Sequence, residues 1–235
     1  MSTFAEPTIR WRADRAFFVS MALAFVAVDA VGFTISFLKT NIAEELHSTW
    51  VKVHVFLFTS WIVLFLAQTT LIASQKTDLH RRLGVAGAAL AASMIGITVI
   101  SGVSGFLNSP PRPALDYFML YFVVHVDAVD FAILAIAGIM FRHRDPDIHK
   151  RLMFLATVTI AIRFPFLSRL LKTEVPHYID QDLFVLAGIL YDLTFRRKLN
   201  VAYLWGGLVI LILPPLAEKL FTMLVPHLVV NRLVQ

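Results

Sequence analysis

Four histidines recur along the chain in a matched pattern. Val53-His54-Val55 and Val124-His125-Val126 form one pair of sites; Asp78-Leu79-His80-Arg81-Arg82-Leu83 and Asp147-Ile148-His149-Lys150-Arg151-Leu152 form the other. The first histidine precedes the second by 26 residues in one copy and by 24 in the other. Two short motifs in the same order at nearly the same spacing indicate an internal duplication. A neutral imidazole offers one nitrogen lone pair, which suits haem iron, zinc or copper. His54, His125, His80 and His149 are therefore the candidate ligands of a haem iron or another metal. The same residues also admit blander roles. Asp78 and Asp147 can cap helix N-termini, and the neighbouring bases can anchor a membrane interface, where His80 and His149 could meet lipid headgroups. His54 can snorkel towards water, and His125 can be a hydrogen-bonded core residue. The chain contains no cysteine, which excludes disulfides, iron–sulfur clusters, thiolate zinc sites and covalent c-type haem.

A second set of ionisable residues is Asp29, Asp127, Asp130, Arg163 and Glu218, each inside a long apolar stretch. Asp29 and Arg163 are each about 13 residues, or about 20 Å, above the basic end of their stretches. Glu218 follows the Pro214-Pro215 break. Asp127 and Asp130 fall within about 60° of each other around a helix, and His125 points elsewhere. One account of this intramembrane polar layer is a charge-compensated network in which Arg163 pairs with Asp127 or Asp130. The other is a proton or ion path, or a clamp for haem propionates. An unpaired charge in hydrocarbon costs several kcal/mol.

These residues need elements that hold them in a bilayer. Of 235 residues, 58% are apolar and 16% charged, and mean hydropathy is +0.73. Soluble domains carry about 45–50% apolar and about 25% charged residues. Val53–Gln75, Leu83–Pro111 and Leu199–Ala217 contain no Asp, Glu, Lys or Arg, and uncharged runs of 18 or more residues read as transmembrane helices. The fold class expected is all-α: a polytopic membrane protein of about seven spans forming a single integral membrane domain over residues 1–235. Core repeats at 50–107 and 115–172 give a duplicated four-helix core of spans 50–75, 84–107, 115–141 and 151–172. Additional spans lie at 16–38, 180–195 and 201–226. The segment 180–195 is the weakest, because its apolar run Leu183–Phe195 is short and contains Asp192.

Lys and Arg set the orientation. Thirteen lie at the N-terminus and in the 2–3, 4–5 and 6–7 loops, against five in the opposite loops. That places the N-terminus in the cytoplasm and, with seven spans, the C-terminus outside, in what is expected to be a bacterial inner membrane. The bases flank the spans, so the net charge of +5 reports topology, and nucleic acid is not an expected partner. The partners expected are the lipid bilayer and a redox partner or membrane-complex subunit. The 20 phenylalanines suit packing and lipid contact, and Gly84, Gly87, Gly206 and Gly207 permit close helix approach.

The phrase His80-Arg81-Arg82-Leu83-Gly84, with His149-Lys150-Arg151-Leu152-Met153 and Arg163 later, resembles a family of bacterial polytopic membrane proteins. These carry a His-Arg-x-Leu-Gly loop and a later His-Arg-x-Met loop. Lys150 stands where that family has Arg, and the resemblance covers roughly residues 47–170. It supplies no reaction. In arrangement, one histidine on each of four consecutive helices is similar to cytochrome b561. That resemblance implies two b-type haems, His54 with His125 and His80 with His149, and electron transfer across the membrane. The alternatives are a non-catalytic accessory or assembly protein with a structural polar layer, and a proton-coupled transporter using Asp127, Asp130 and Glu218.

Overall fold

The computed structural model describes residues 7–39, 49–108, 114–161 and 178–233. Among these residues the chain is all α-helical, with seven helices: α1 (Pro7–Lys39), α2 (Thr49–Ala73), α3 (Thr77–Asn108), α4 (Ala114–Phe141), α5 (Pro146–Ala161), α6 (Tyr178–Tyr191) and α7 (Val201–Leu233). Trp11–Ile35, Lys52–Ala73 and Thr77–Ile100 are long and apolar enough to cross a membrane, with mean hydropathies of 2.1, 2.0 and 2.1. Val201–Leu216 is a shorter apolar stretch. The part of the expected span 151–172 beyond Ala161 lies outside the described residues. The weak segment at 180–195 folds as α6 and ends in a π-helical turn over Asp192–Arg196.

Helix α5 lies at the centre. It packs on α1, α2, α4, α6 and α7, and from Arg151 to Ala161 every residue but Met153 is buried. Enclosure on all sides demands a helix that is apolar all round, which Leu152–Ala161 supplies with two threonines whose hydroxyls stay local. Thr157 donates to the Met153 carbonyl at 2.8 Å and Thr159 to that of Ala156 at 2.8 Å. The Thr157 oxygen also accepts from the Trp61 indole of α2 at 3.1 Å. Aromatic rings fill the space around it: Phe25 of α1 stacks on Phe154 with centroids 5.7 Å apart, and Trp61 meets Phe131 edge to face at 5.0 Å. Other phenylalanines face outward, Phe56 at 70% exposure among them, so the phenylalanines divide between core and surface. Small residues set the tightest contacts. A Cβ on Gly206 would lie 2.9 Å from Leu155 and 3.2 Å from Leu134, so α4, α5 and α7 meet there. A Cβ on Gly188 would lie 2.5 Å from the Tyr203 hydroxyl, which is how α6 closes on α7.

The two hairpin turns explain where the histidines fall. Helix α2 ends with Gln75 in the left-handed region (φ 62°). The Lys76 N–H reaches the Leu71 carbonyl at 2.8 Å and the Gln75 N–H that of Ile72 at 3.1 Å, the paired bonds that close a helix C-terminus. Helix α3 starts two residues later. Helix α5 starts at Pro146, a residue suited to a first helical position because its missing N–H would have no helical partner. Its cap is Asp145, whose Oδ1 accepts from the Asp147 and Ile148 N–H groups at 2.9 and 3.0 Å. Sequence reasoning gave that cap to Asp147. Pro146 moves the helix start two residues back, from Ile148 to Pro146, and the Asp147 carboxylate is released for other partners. His80 and His149 are each the fourth residue of their helices.

Candidate functional site

The rings of His80 and His149 lie with centroids 6.5 Å apart and planes at 77°. Each is held within its own hairpin. Nδ1 of His149 lies 2.7 Å from the Gly138 carbonyl oxygen of α4. A carbonyl only accepts, so Nδ1 carries the proton and the lone pair of a neutral ring sits on Nε2. That carbonyl is available because α4 tightens at its end: the Arg142 N–H goes to Ile139 at 3.3 Å instead of to Gly138. His149 thus satisfies a carbonyl in the last turn of α4. Burial lowers the ring's pKa, against the hydrogen bond to Gly138, which raises it; the charges of Arg142 and His143 lower it further. Burial thus favours the neutral ring, whose lone pair lies on Nε2.

His80 is held by Gln68 of α2. The His80 carbonyl, which only accepts, and the Gly84 N–H, which only donates, favour the orientation with the Gln68 amide nitrogen towards the ring. In it Gln68 would donate to His80 Nδ1 and to the His80 carbonyl at 3.2 Å, and its oxygen would accept from the Gly84 N–H at 3.0 Å. A Cβ on Gly84 would meet the Gln68 amide at 3.8 Å, an ordinary van der Waals contact.

Beside the imidazoles is an ion cluster that sequence reasoning missed. Arg151 and Asp192 have no exposed side-chain surface. The guanidinium grips the carboxylate with two bonds, Nε to Oδ2 at 2.9 Å and Nη2 to Oδ1. Nη1 donates to the Asp147 carbonyl at 2.9 Å, and the Asn200 N–H adds a bond to Asp192 Oδ2 at 3.1 Å. Asn200 also accepts from the Ala202 N–H at 2.9 Å and so caps α7. Nearer solvent, Asp14 of α1 pairs with Lys150 and accepts from the Tyr191 hydroxyl at 2.6 Å. Asp147 pairs with Lys150 and accepts from Arg196 at 2.6 Å. Three carboxylates face three cations, so the cluster is neutral while it ties α1, α5 and the π-helical turn together. The turn matters because it sets Asp192 inward and Arg196 within reach of Asp147. The signal available in the sequence was Asp192 itself, an acid at the basic end of an apolar segment, level with Arg151.

Burial disfavours the charged form of Asp147, but hydrogen bonds from Arg196 and Lys150 and their charges outweigh it and hold the carboxyl well below its usual range. Arg196 is raised in turn, first by that hydrogen bond. A carboxyl whose pKa is depressed by folding stabilises the protein above its unfolded value of about 3.9, and this is lost as pH falls towards the folded value. Asp147→Asn is therefore expected to lower the thermal midpoint at pH 7 and to flatten its decline between pH 4 and pH 2 in detergent. A midpoint falling in parallel with wild type would remove Asp147 from the acid response.

The remaining candidates are dispersed. His54 stacks on Phe58, one turn along α2, with centroids 3.9 Å apart. His125 lies on α4 and Glu218 on α7, with their side chains outside the described part. Arg163 lies outside the described residues. Asp29 is half-buried on α1. Asp127 and Asp130 are buried on α4, at 5% and 0% exposure, and neither Asp130 oxygen has a hydrogen-bond partner among the described residues. Groups of three or more His, Asp or Glu placed to hold a metal are absent among the described residues; a metal there would rest on two imidazoles. Comparison with protein-family models, curated proteins and solved structures finds no match for this chain.

Proposed function

We propose that the chain is a seven-span integral membrane protein, built on two duplicated helical hairpins, that carries one b-type haem on His80 and His149 and passes electrons at the membrane. The observation that carries this reading is the 6.5 Å separation of two rings delivered by separate hairpins. Imidazole nitrogens bind metals at about 2.0–2.1 Å, so two rings at this separation would be close enough to hold one ion between them. Both histidines take the fourth position of their helices, as duplicated hairpins would require. His149 fits the role of ligand as it stands, since its second nitrogen is anchored to a carbonyl, an arrangement that orients metal-bound histidines. His80 fits once its proton lies on Nδ1. A bound haem would supply one-electron chemistry; His80 and His149 would hold it, beside the neutral ion cluster of Asp147, Lys150, Arg151 and Asp192 with Asp14 and Arg196. The outer pair, His54 with His125, is assigned no centre, because the His54 ring is engaged on Phe58.

The basic end that holds His80 and His149 faces the cytoplasm in this reading, in a bacterial inner membrane. A reporter fused after Gln235 is expected to be active only outside the cytoplasm; cytoplasmic activity would overturn the count of seven spans. Protein purified from haem-supplied cells is expected to show a Soret band, a sharp α-band on dithionite reduction, and one haem per chain as the pyridine haemochrome. A colourless, metal-free protein would overturn the cofactor reading. It would favour a second one: an accessory protein in which each histidine only staples its own hairpin, as the bonds to Gly138 and Gln68 do.

A further inference from the structure

We propose that Gln68 is a positioning residue that selects which nitrogen of His80 carries the proton, and so holds the His80–His149 pair closed to metal until its carboxamide turns over. This rests on the reading of the two histidines as ligands.

The carboxamide has a donor end and an acceptor end, and its surroundings choose between them. Two groups of fixed character set its orientation: the carbonyl oxygen of His80, which only accepts, faces the amide nitrogen at 3.2 Å, and the Gly84 N–H, which only donates, faces the amide oxygen at 3.0 Å; the nitrogen's second hydrogen then points at Nδ1. Reversed, its oxygen would oppose the His80 carbonyl and its nitrogen the Gly84 N–H. The favoured orientation leaves Nδ1 of His80 as an acceptor, so in the neutral ring the proton sits on Nε2. His149 is the opposite case, because the Gly138 carbonyl holds a proton on its Nδ1. The pair is thus asymmetric at Nε2: one ring is a donor and the other an acceptor. Such a pair can share a water or a proton, but it cannot make two bonds to one metal. Metal uptake requires the Nε2 proton of His80 to leave for solvent and one proton to arrive at Nδ1, with no net change in protonation. Gln68 must then present its oxygen, giving up its bonds to the His80 carbonyl and the Gly84 N–H.

A carboxylate at this position can only accept. Gln68→Glu is therefore expected to draw the proton to Nδ1 and leave the Nε2 lone pair free, whereas Gln68→Met selects neither form. The test uses metal-free full-length protein with 15N-labelled histidine, at a pH where the rings are neutral. Wild type is expected to show His80 protonated at Nε2, Gln68→Glu at Nδ1, and Gln68→Met a mixture, with His149 protonated at Nδ1 throughout. Haemin titration of the same samples is expected to show at least 10-fold tighter binding by Gln68→Glu, the scale on which partners of metal-bound histidines act. One His80 tautomer shared by wild type and both variants would overturn the proposal, and wild type protonated at Nδ1 would do so alone. If Gln68→Glu does not fold, the contrast with Gln68→Met decides. A tautomer that switches as stated in protein that never binds haemin would uphold the control by Gln68 and overturn the haem reading.

Discussion

Replacing Asp192 with alanine is expected to destabilise the protein by about 3 kcal/mol, because it leaves the buried Arg151 guanidinium only a distant carboxylate, that of Asp147 at 3.8 Å, which Lys150 and Arg196 already share. Arg151 has no exposed side-chain surface and cannot turn to water. Its bond to the Asp147 carbonyl and its approach to the Tyr203 ring, 5.8 Å from the centroid, carry no charge, and the Asp147 carboxylate at 3.8 Å compensates it only in part. Combining Asp192→Ala with Arg151→Met removes both charges and is expected to recover more than half of the loss, since a buried pair contributes little beyond an apolar pair of similar volume. The check is a double-mutant cycle on thermal or denaturant unfolding in detergent; strictly additive losses would show that the two residues do not act as a pair. Asp14→Ala, at the solvent side of the same cluster, is expected to cost about 1 kcal/mol or less, because its partner Lys150 is partly exposed.

The second large effect separates the two roles of His149. His149→Ala removes both the Nε2 lone pair and the donor to Gly138, so it is expected to abolish haem binding and also to cost about 1–3 kcal/mol for the unsatisfied carbonyl. His149→Asn is the informative control. Its side-chain amide nitrogen occupies the place of Nδ1, so the bond to Gly138 survives while the ligand is lost. Asparagine is expected to give a colourless protein of near wild-type stability, and alanine a colourless and weaker one. His125→Ala is expected to retain the full Soret band. If the asparagine variant kept its colour, His149 would not be an axial ligand.

Much of the helical plan is legible because apolar runs and basic loops are properties of single segments. The hairpin turns before His80 and His149 are marked by local residues, and the repeated motif is enough to bring those two histidines into consideration together. The Arg151–Asp192 pair is of another kind. It joins residues from two segments through a π-helical turn that no periodicity announces, and taken singly Arg151 reads as an interfacial anchor and Asp192 as a blemish in a weak span. The helix cap was misplaced for a smaller reason: Asp145 and Asp147 flank Pro146, and either carboxylate has the chemistry to cap. The expected pairing of Arg163 with Asp127 or Asp130 involves a residue outside the described part. Among the described residues neither Asp130 oxygen has a hydrogen-bond partner.

The enclosure of α5 has a consequence for how the protein is made. Arg151 leaves the ribosome 41 residues ahead of Asp192, and Asp14 waits 136 residues for Lys150. At about 5–20 residues per second, the arginine spends roughly 2–8 s without its partner. At the start of that time the central helix lacks both α6 and α7, so its enclosure is complete only once the last quarter of the chain closes around it. Biogenesis of this protein is therefore a matter of holding an unfinished helix. Chains truncated before Asp192 are the ones that quality control should recognise, by the cation they cannot hide.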